Sequence, residues 1–224
     1  MSKRRVSNPL ALAVLSCLNE RPMHPCEIST TLRTRGKEES IKLNYGALYS
    51  VVESLHKHGL IRDVETIREG RRPERTVYEI TEAGMQEHDD WLAELLSTPV
   101  REFTSLEAGL SLMAGLPPDE VARLLHERAD RLRMQLRTLE STHAVAAEAG
   151  VPELFLIEGR FREHMVTAEL EFVTDLATRI ARRDLPGTGA WQRLHELRAG
   201  GMSFEEIVRD PVRHLGEEAR LLGP

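Results

Sequence analysis

The sequence predicts a mainly α-helical chain that carries one short pair of β-strands in its N-terminal part. Three observations lead to this prediction. Three capped helical segments lie before residue 60, two strand-like runs flank a basic turn at Gly70, and apolar residues recur at helical spacing after residue 100. This order of elements indicates an N-terminal winged helix-turn-helix with a two-stranded β wing, followed by a C-terminal helical dimerisation domain.

The first two helices are each indicated by a proline at the first helical position. Asn8 and Pro9 open the first helix, and its apolar residues follow at helical spacing: Leu10, Leu12, Val14, Leu15 and Leu18. The second helix is predicted to begin at Pro25 and to run towards Gly36.

Both ends of the third helix are indicated between Asn44 and Leu60. Asn44 is a favoured N-cap, and Gly59 stands where a left-handed C-cap is needed. One face is apolar and consists of Leu48, Val51 or Val52, and Leu55. The opposite face begins with small or hydrogen-bonding residues, namely Tyr45, Gly46 and Tyr49. The third helix is therefore expected to expose a polar N-terminal face.

A strand pair and a fourth helix are predicted after it. Residues 61–68 and 75–80 alternate partly with period two and contain β-prone residues: Val64, Thr66, Val77, Tyr78 and Ile80. The segment 69–75 between them reads Glu-Gly-Arg-Arg-Pro-Glu-Arg and makes a basic turn. Thr81 then opens the fourth helix, with the apolar residues Met85, Trp91, Leu92, Leu95 and Leu96.

In this order, residues 8–96 resemble the PadR family of transcriptional regulators. The resemblance rests on four segments in register: Tyr45-Gly46-Ala47-Leu48-Tyr49, Leu55 to Gly59-Leu60, Gly70-Arg71-Arg72-Pro73, and Tyr78-Glu79-Ile80-Thr81-Glu82-Ala83-Gly84. One departure is His24-Pro25, where this family often has a Gly-Tyr pair leading into the second helix. The resemblance implies a DNA-binding winged helix and a C-terminal helical region that dimerises.

Charge is distributed unevenly along the 224 residues. Residues 1–80 carry 14 Lys and Arg against 10 Asp and Glu, a net charge of +4, whereas the remaining 144 carry 16 against 26, a net charge of −10. DNA affinity depends on local positive charge that meets phosphates. The split therefore favours function in the N-terminal part, and the acidic remainder keeps the protein soluble.

A cytoplasmic location is expected. Lys3-Arg4-Arg5 followed by the apolar run 10–18 imitates a secretory signal, but Asn8-Pro9 interrupts it and no small-x-small cleavage site follows at once. No apolar run approaches the roughly 18 to 20 residues that cross a bilayer. Cys17 and Cys26 make no disulfide framework, and free thiols suit the cytosol; they could sense oxidants or, more commonly for such residues, simply pack.

Two long helices are predicted after a short one over 104–114. The first spans Pro117 to about Ala149, with an apolar face of Val121, Leu124, Leu125, Leu132, Leu136 and Leu139. The second spans Glu153 to Arg182 and has two apolar stripes. The first stripe is Leu154, Ile157, Phe161, Met165, Ala168, Phe172 and Leu176, and the second is Val166, Leu170, Val173, Ala177 and Ile180. Two helices alone cannot bury both stripes, so a homodimer is expected.

These predicted elements divide the chain into three regions. Residues 1–96 are the expected winged helix-turn-helix, 97–183 the helical dimerisation domain, and 184–224 a linker with a helical tail. The linker is predicted from the composition of residues 185–189, Leu-Pro-Gly-Thr-Gly. The tail holds a helix over 190–199 and a capping-box start at Ser203. It could cap the dimer, cover a ligand pocket or stay partly mobile.

The candidate DNA contacts form two groups. At the head of the third helix, free N–H groups and a small residue favour close approach to DNA, and the candidates are Lys42, Asn44, Tyr45, Gly46 and Tyr49. In the wing, arginines can reach the minor groove or backbone phosphates, and the candidates are Arg71, Arg72 and Arg75. Alternatively, Tyr49 packs against the wing, Asn44 only caps, and the arginines form a solvated cluster. Residues 3–5 could add a basic arm.

Other sites have weaker support. An effector pocket could be lined by aromatic residues, although core packing is the alternative for each: Trp91, Phe103, Phe155 and Phe161. His56 and His58 lie two apart on a helix, point to different sides and make a poor metal pair. The sequence has no GxGxxG, P-loop or HExxH, and residues 109–113 lack the second glycine of a nucleophile elbow. Neither an enzyme nor a bound cofactor or metal is expected.

The sequence thus predicts a homodimeric, sequence-specific transcriptional regulator, a repressor in preference to an activator, released by an effector or a modification. Its partners would be double-stranded DNA, a second copy and a small-molecule effector, with no membrane contact. A two-fold dimer places two third helices about 34 Å apart, one DNA turn, which predicts a pseudo-palindromic operator. The alternative is a winged-helix module that binds a protein and does not bind DNA.

Overall fold

The computed structural model describes residues 8–67 and 75–222. The chain divides into two compact units, one ending at Arg101 and the other beginning at Glu102. The predicted contacts Arg71 and Arg72 and the predicted basic arm at residues 3–5 lie outside the described residues. Within the described part of the chain, no helix is both long and apolar enough to cross a bilayer.

The first unit has the predicted winged helix-turn-helix order. Its elements are α1 (Pro9–Glu20), α2 (Pro25–Thr34), a 3-10 turn (Lys37–Glu39), α3 (Tyr45–Lys57), β1 (Ile61–Ile67), β2 (Arg75–Ile80) and α4 (Glu82–Ser97). The two strands are antiparallel, with Ile61 opposite Ile80, and the register shifts once between Asp63 and Glu65. The predicted fold class is confirmed.

Helix α3 begins and ends where the sequence predicts. The Asn44 side-chain oxygen accepts a hydrogen bond from the backbone N–H of Ala47 at 2.7 Å. At the other end, Gly59 has a left-handed φ of +71°. The N–H of Leu60 donates to the carbonyl oxygen of Leu55 at 3.0 Å, which is the outer bond of a Schellman motif. Local chemistry therefore fixes both ends of this helix.

The segment before α2 shows how His24 replaces the common Gly-Tyr pair. Pro25 is the first helical residue, as predicted, and His24 Nδ1 accepts a hydrogen bond from the N–H of Glu27 at 3.0 Å. Histidine is thus the N-cap, a role the sequence alone does not suggest. Met23 exchanges two backbone hydrogen bonds of 3.0 Å with Tyr78, so this segment also pairs with β2.

The core of the first unit surrounds α1. Its most completely buried large side chains are Leu10, Val14, Leu15, Met23, Ile28, Leu48, Leu55 and Ile61. From α4, Trp91 packs into the same core and is 5% exposed. The other apolar residues predicted for α4 lie at the surface: Met85, Leu92, Leu95 and Leu96. α4 is therefore held to the core mainly through Trp91.

The second unit is entirely helical in its described residues. Its elements are α5 (Ser105–Leu112), a 3-10 turn (Met113–Gly115), α6 (Pro118–Glu148), a 3-10 turn (Glu153–Leu156), α7 (Ile157–Arg182), α8 (Thr188–Ala199), α9 (Phe204–Arg209), α10 (Pro211–Leu215) and a final 3-10 segment (Glu217–Leu222). The predicted helix over 153–182 thus begins with a 3-10 turn. The segment 203–222 is broken at Asp210-Pro211 and at Gly216, which has a φ of +92°.

Helices α6 and α7 form an antiparallel pair, because residues early in one helix meet residues late in the other. Arg128 pairs with Glu169 at 2.6 Å, and His143 Nδ1 lies 2.7 Å from Glu163. At Gly159 the helices are so close that a Cβ would come within 2.3 Å of His143 Nε2. The pair is closely packed along its length.

The two predicted stripes of α7 have different environments in the single chain. The second stripe faces α6 and is buried at Val166, Val173, Ala177 and Ile180. Most of the first stripe is exposed, and its large exposed members are Leu154, Ile157, Phe161, Met165 and Phe172. We refer to these five residues as the outer stripe. The other described residues of the second unit do not cover it.

Residues 185–189, expected to be a linker, form a packed turn into α8. Thr188 is 2% exposed, and its hydroxyl donates to the carbonyl oxygen of Leu185 at 2.6 Å. Trp191 Nε1 donates to the carbonyl oxygen of Leu116 at 2.8 Å. The capping box predicted at Ser203 is present, with Glu206 as its acidic partner. The tail therefore packs within the second unit.

Candidate nucleic-acid interface

The head of α3 presents a polar face to solvent because its apolar face is fully used. Leu48, Val51, Val52 and Leu55 are all buried, so both valines belong to the core. On the opposite face Tyr45 and Tyr49 are 48% and 49% exposed. Lys42, Asn44 and Gly46 are exposed as well. All five candidates predicted at this helix head therefore lie on one accessible surface, which we call the α3 face.

Gly46 is on the α3 face without any need inside the protein for glycine. A Cβ at this position would meet only Asn44 Oδ1, at an ordinary 3.8 Å, and its φ is not left-handed. Gly59, in contrast, needs its left-handed φ. Glycine within a helix costs up to about 1 kcal/mol relative to alanine. The fold therefore gives no reason for glycine at position 46, and its small size leaves room for close approach by another molecule.

We expect Gly46→Ala to weaken DNA binding without lowering the stability of the fold. Alanine should leave the free energy of unfolding unchanged or raise it by up to about 1 kcal/mol, because helix propensity improves and no atom is displaced. If the α3 face contacts DNA, as the sequence predicts, DNA affinity should fall, because the added methyl group stands on that face. Thermal unfolding and duplex binding of the same variant test this. Unchanged DNA affinity would show that Gly46 is not at the interface.

Tyr49 contacts α2 through its hydroxyl group. Its hydroxyl lies 3.2 Å from Cys26 Sγ. The hydrogen bond with Cys26, and to a lesser extent burial, raises the pKa of Tyr49 above its ordinary value. The phenol keeps its proton at neutral pH, as an ordinary tyrosine does, and can act as a hydrogen-bond donor. The alternative interpretation that Tyr49 only packs against the wing is not supported by this geometry.

Arg33 adds a positive charge beside the α3 face that the sequence did not reveal. Its guanidinium lies 5.3 Å from the centre of the Tyr45 ring, in a cation–π contact. It is also 3.7 Å from Glu38, and its side chain is 46% exposed. Because Arg33 lies in the last turn of α2, only the folded helix pair brings it next to Tyr45.

Arg75 is the one predicted wing arginine within the described residues. It begins β2, and its Nη1 lies 3.5 Å from His24 Nε2. Between α2, α3 and β2 there is a cleft of about 380 Å³, which we call the α2–β2 cleft. Its polar lining includes His24, Cys26, Tyr49, Glu53, Arg75 and Thr76. Tyr49 belongs to both the cleft and the α3 face, so the two surfaces are continuous.

The sequence model of the transcriptional regulator PadR-like family matches residues 14–90, which span α1 to the middle of α4. These residues form a PadR-like domain. The match contains the whole α3 face and the α2–β2 cleft. Among curated proteins, no sequence match was found.

The matches to solved structures cover more of the chain than the PadR-like domain. Bacillus subtilis PadR in complex with operator DNA is 18% identical, with a TM-score of 0.58, and the match covers 78% of this chain and 99% of that one. The same protein with p-coumaric acid is 16% identical, with a TM-score of 0.58 and coverage of 79% and 99%. The Vibrio cholerae virulence activator AphA is 15% identical, with a TM-score of 0.58 and coverage of 78% and 99%. At these identities the likeness establishes the fold.

The aromatic residues suggested for an effector pocket do not come together within one unit. Trp91 is in the core of the PadR-like domain, on the inner side of α4. Phe103, Phe155 and Phe161 belong to the second unit and are 68% to 80% exposed. Helical spacing did not distinguish a core tryptophan from surface phenylalanines. A cavity of about 480 Å³ instead lies between α5 and α6, lined mainly by leucines together with Arg128 and Arg131.

His56, His58 and Cys17 have ordinary structural environments. His56 Nε2 lies 3.0 Å from Asp63 Oδ1, and His58 Nδ1 lies 2.7 Å from the carbonyl oxygen of Ser54. The described residues contain no group of three His, Cys, Asp or Glu side chains suited to a metal ion. Burial raises the pKa of the Cys17 thiol, which keeps it in the unreactive protonated form.

Proposed function

We propose that this protein is a DNA-binding transcriptional regulator that works as a homodimer and reads DNA through the α3 face. The main support for the proposal is that helix α3 has one buried face and one exposed face. Its apolar residues are all buried, whereas Tyr45, Gly46 and Tyr49 form an accessible face in which glycine has no internal purpose. An α-helix fits the major groove, where base edges can be read. The helix N-terminus and nearby cations would hold the phosphates.

The comparisons support the DNA-binding part of the proposal through the fold. The PadR-like domain contains every described residue of the α3 face, and a protein of this fold has been solved with operator DNA. The regulator AphA shares the fold and is called an activator, so the fold does not determine the sign of regulation. We propose repression, because a dimer seated on an operator excludes other proteins from the same DNA.

The outer stripe supports a homodimer. A contiguous row of large exposed apolar side chains on a surface helix marks an interaction site. A second copy can cover it through the same stripe, because a two-fold interface pairs one patch with itself. Two α3 faces would then lie about 34 Å apart, in successive major grooves. Regulation of DNA binding would act on this distance, since a shift of the dimer helices displaces one α3 face relative to the other.

Release by a small molecule is part of the proposal, and the α5–α6 cavity is its proposed site. Ligand pockets commonly enclose about 300 to 1,000 Å³, and this cavity of about 480 Å³ falls within that range. Its leucine lining suits an apolar body. Arg128 pairs with Glu169, and Arg131 lies 3.7 Å from Glu127, which also lines the cavity, so an acidic group would replace these carboxylates as the partner of the two arginines. A protein of the same fold has been solved with p-coumaric acid, which has both features. Effector binding next to α6 would act on the helix that packs against α7.

Replacing Arg71 and Arg72 together with alanine tests the proposed function. If both arginines hold backbone phosphates, duplex affinity should fall for all sequences, and the slope of log affinity against log salt should flatten by about 2. The measurement is duplex binding across salt concentrations from about 50 to 200 mM, where phosphate contacts dominate the change in affinity. Arg137 and Arg198, exposed in the second unit, provide a double alanine control with the same change in net charge.

The competing function is a winged-helix module that binds another protein through the α3 face. Such a module would show little affinity for duplex DNA in the unmodified protein, even at low salt. In that case the Arg71 and Arg72 substitutions would have no DNA affinity to reduce. Wild-type binding with a steep salt slope that the paired substitution flattens would support the regulator. If the Arg71 and Arg72 variant and the Arg137 and Arg198 control had equal slopes of log affinity against log salt, the two wing arginines would not contact DNA.

A further inference from the structure

The α2–β2 cleft contains two nitrogen groups that face each other at a short distance. Arg75 Nη1 lies 3.5 Å from His24 Nε2. At the other side of the same imidazole ring, Nδ1 accepts the backbone N–H of Glu27 at 3.0 Å and caps α2. The two residues are 51 positions apart in sequence, so only the fold brings them together.

The capping hydrogen bond determines which histidine nitrogen carries the proton. A neutral imidazole has one N–H donor and one acceptor nitrogen. Because Nδ1 of His24 accepts the Glu27 N–H, the hydrogen is on Nε2. The guanidinium of Arg75 has only donors. Nε2 and Nη1 are therefore both donors, and the 3.5 Å contact between them is not a hydrogen bond.

His24 and Arg75 are half-buried, and two donors that converge in a cleft favour a ligand whose acceptor atom can receive both. An anionic oxygen placed between them would receive one hydrogen bond from His24 and a charge-assisted one from Arg75. The positive charge of Arg75 selects an anion over a neutral acceptor. Thr76 and Tyr49 line the same cleft and supply further hydroxyl groups, while Glu53 is the only carboxylate among the described residues that line it. The polar lining is thus that of an oxyanion site with one opposing charge.

We propose that the α2–β2 cleft binds a backbone phosphate of the DNA, held between His24 Nε2 and the Arg75 guanidinium. The proposal rests on the proposed DNA-binding function and adds His24 to the residues of the interface. Tyr49 connects the cleft to the α3 face, so a phosphate in the cleft belongs to the strand beside the groove that α3 reads. The imidazole of His24 thereby has two roles, because Nδ1 caps α2 and Nε2 donates to the phosphate.

Three substitutions test the proposal against one duplex that the wild-type protein binds. His24→Ser keeps an N-cap oxygen for α2 but removes the Nε2 donor, and Arg75→Gln removes the charge. Arg75→Gln should reduce the slope of log affinity against log salt by about 1. His24→Ser should weaken binding several-fold with unchanged thermal stability. Glu53→Gln should act in the opposite direction and tighten binding, since it removes the carboxylate from the cleft.

The combined variant and free phosphate complete the test. Because both groups hold one phosphate, the double variant His24→Ser with Arg75→Gln should lose less than the product of the two single losses. Full additivity, or wild-type binding by His24→Ser, would overturn the proposal. Saturable binding of inorganic phosphate at constant ionic strength, by a cleft whose single substitutions leave duplex affinity unchanged, would also overturn it and assign the cleft to a free anion. Absence of duplex binding by the wild-type protein would instead reject the proposed function itself.

Discussion

Gly84→Ala is expected to unfold the PadR-like domain under conditions in which the wild-type protein is folded. A Cβ at Gly84 would lie 2.0 Å from the carbonyl oxygen of Leu60 and 2.8 Å from Ile80 Cγ1. That carbonyl also accepts the N–H of Thr81 at 3.0 Å, so the backbone on both sides is fixed. Relief requires α4 to move away and to withdraw Trp91 from the core. We expect a loss of at least about 3 kcal/mol in the free energy of unfolding, measured by thermal and denaturant unfolding.

Gly109→Ala is the matched control for this prediction. Gly109 lies inside α5, and a Cβ there would meet no atom of the described residues within 4 Å beyond its own stretch of helix. Alanine should therefore be neutral or stabilising by up to about 1 kcal/mol, through helix propensity alone. If Gly84→Ala unfolded with the wild-type midpoint, the close approach of α4 to the turn between α3 and β1 would be disproved.

Phe161→Lys is expected to convert the proposed homodimer into a monomer and to abolish the tight DNA binding proposed for it. Phe161 is 68% exposed in the single chain and lies in the middle of the outer stripe. In a two-fold interface each substitution is present twice, so two ammonium groups would have to be buried. Central aromatic residues dominate interface energies, and a loss of about 3 kcal/mol corresponds to more than a hundredfold in dimer dissociation. Sedimentation analysis over a range of protein concentrations measures this shift.

Phe204→Lys serves as the control for the dimer prediction. Phe204 begins α9, is 54% exposed and lies outside the outer stripe. Its replacement introduces the same charge at a phenylalanine of similar exposure and should leave both the dimer and DNA affinity unchanged. A wild-type protein that sediments as a monomer at all concentrations would contradict the homodimer directly. A dimer that persists in Phe161→Lys would exclude the outer stripe as its interface.

The elements that the sequence predicted well are those whose signals are local. Asn44 and Gly59 bound α3 because capping and a left-handed turn depend on a few neighbouring residues. Pro25 likewise fixes the start of α2. The two stripes of α7 were recognised because helical periodicity is also local. Only the structure could show that one stripe faces α6 and the other faces solvent.

The features that the sequence did not predict depend on residues far apart in the chain. The bridge between Met23 and Tyr78 and the position of Arg33 over Tyr45 arise from the packing of separate elements. The role of His24 as a cap was missed because histidine is not among the usual N-cap residues. Such contacts leave no periodic pattern. They nevertheless determine how the α2–β2 cleft and the α3 face are built.

Selection of bound fragments from sheared genomic DNA, followed by footprinting of the enriched sites, tests the central proposal most directly. A dimer that reads DNA through two α3 faces should enrich fragments that share a pseudo-palindrome. It should protect two half-sites whose centres lie about one helical turn apart, roughly 34 Å. Failure to enrich any sequence, together with negligible duplex affinity at low salt, would contradict the assignment of the α3 face to DNA.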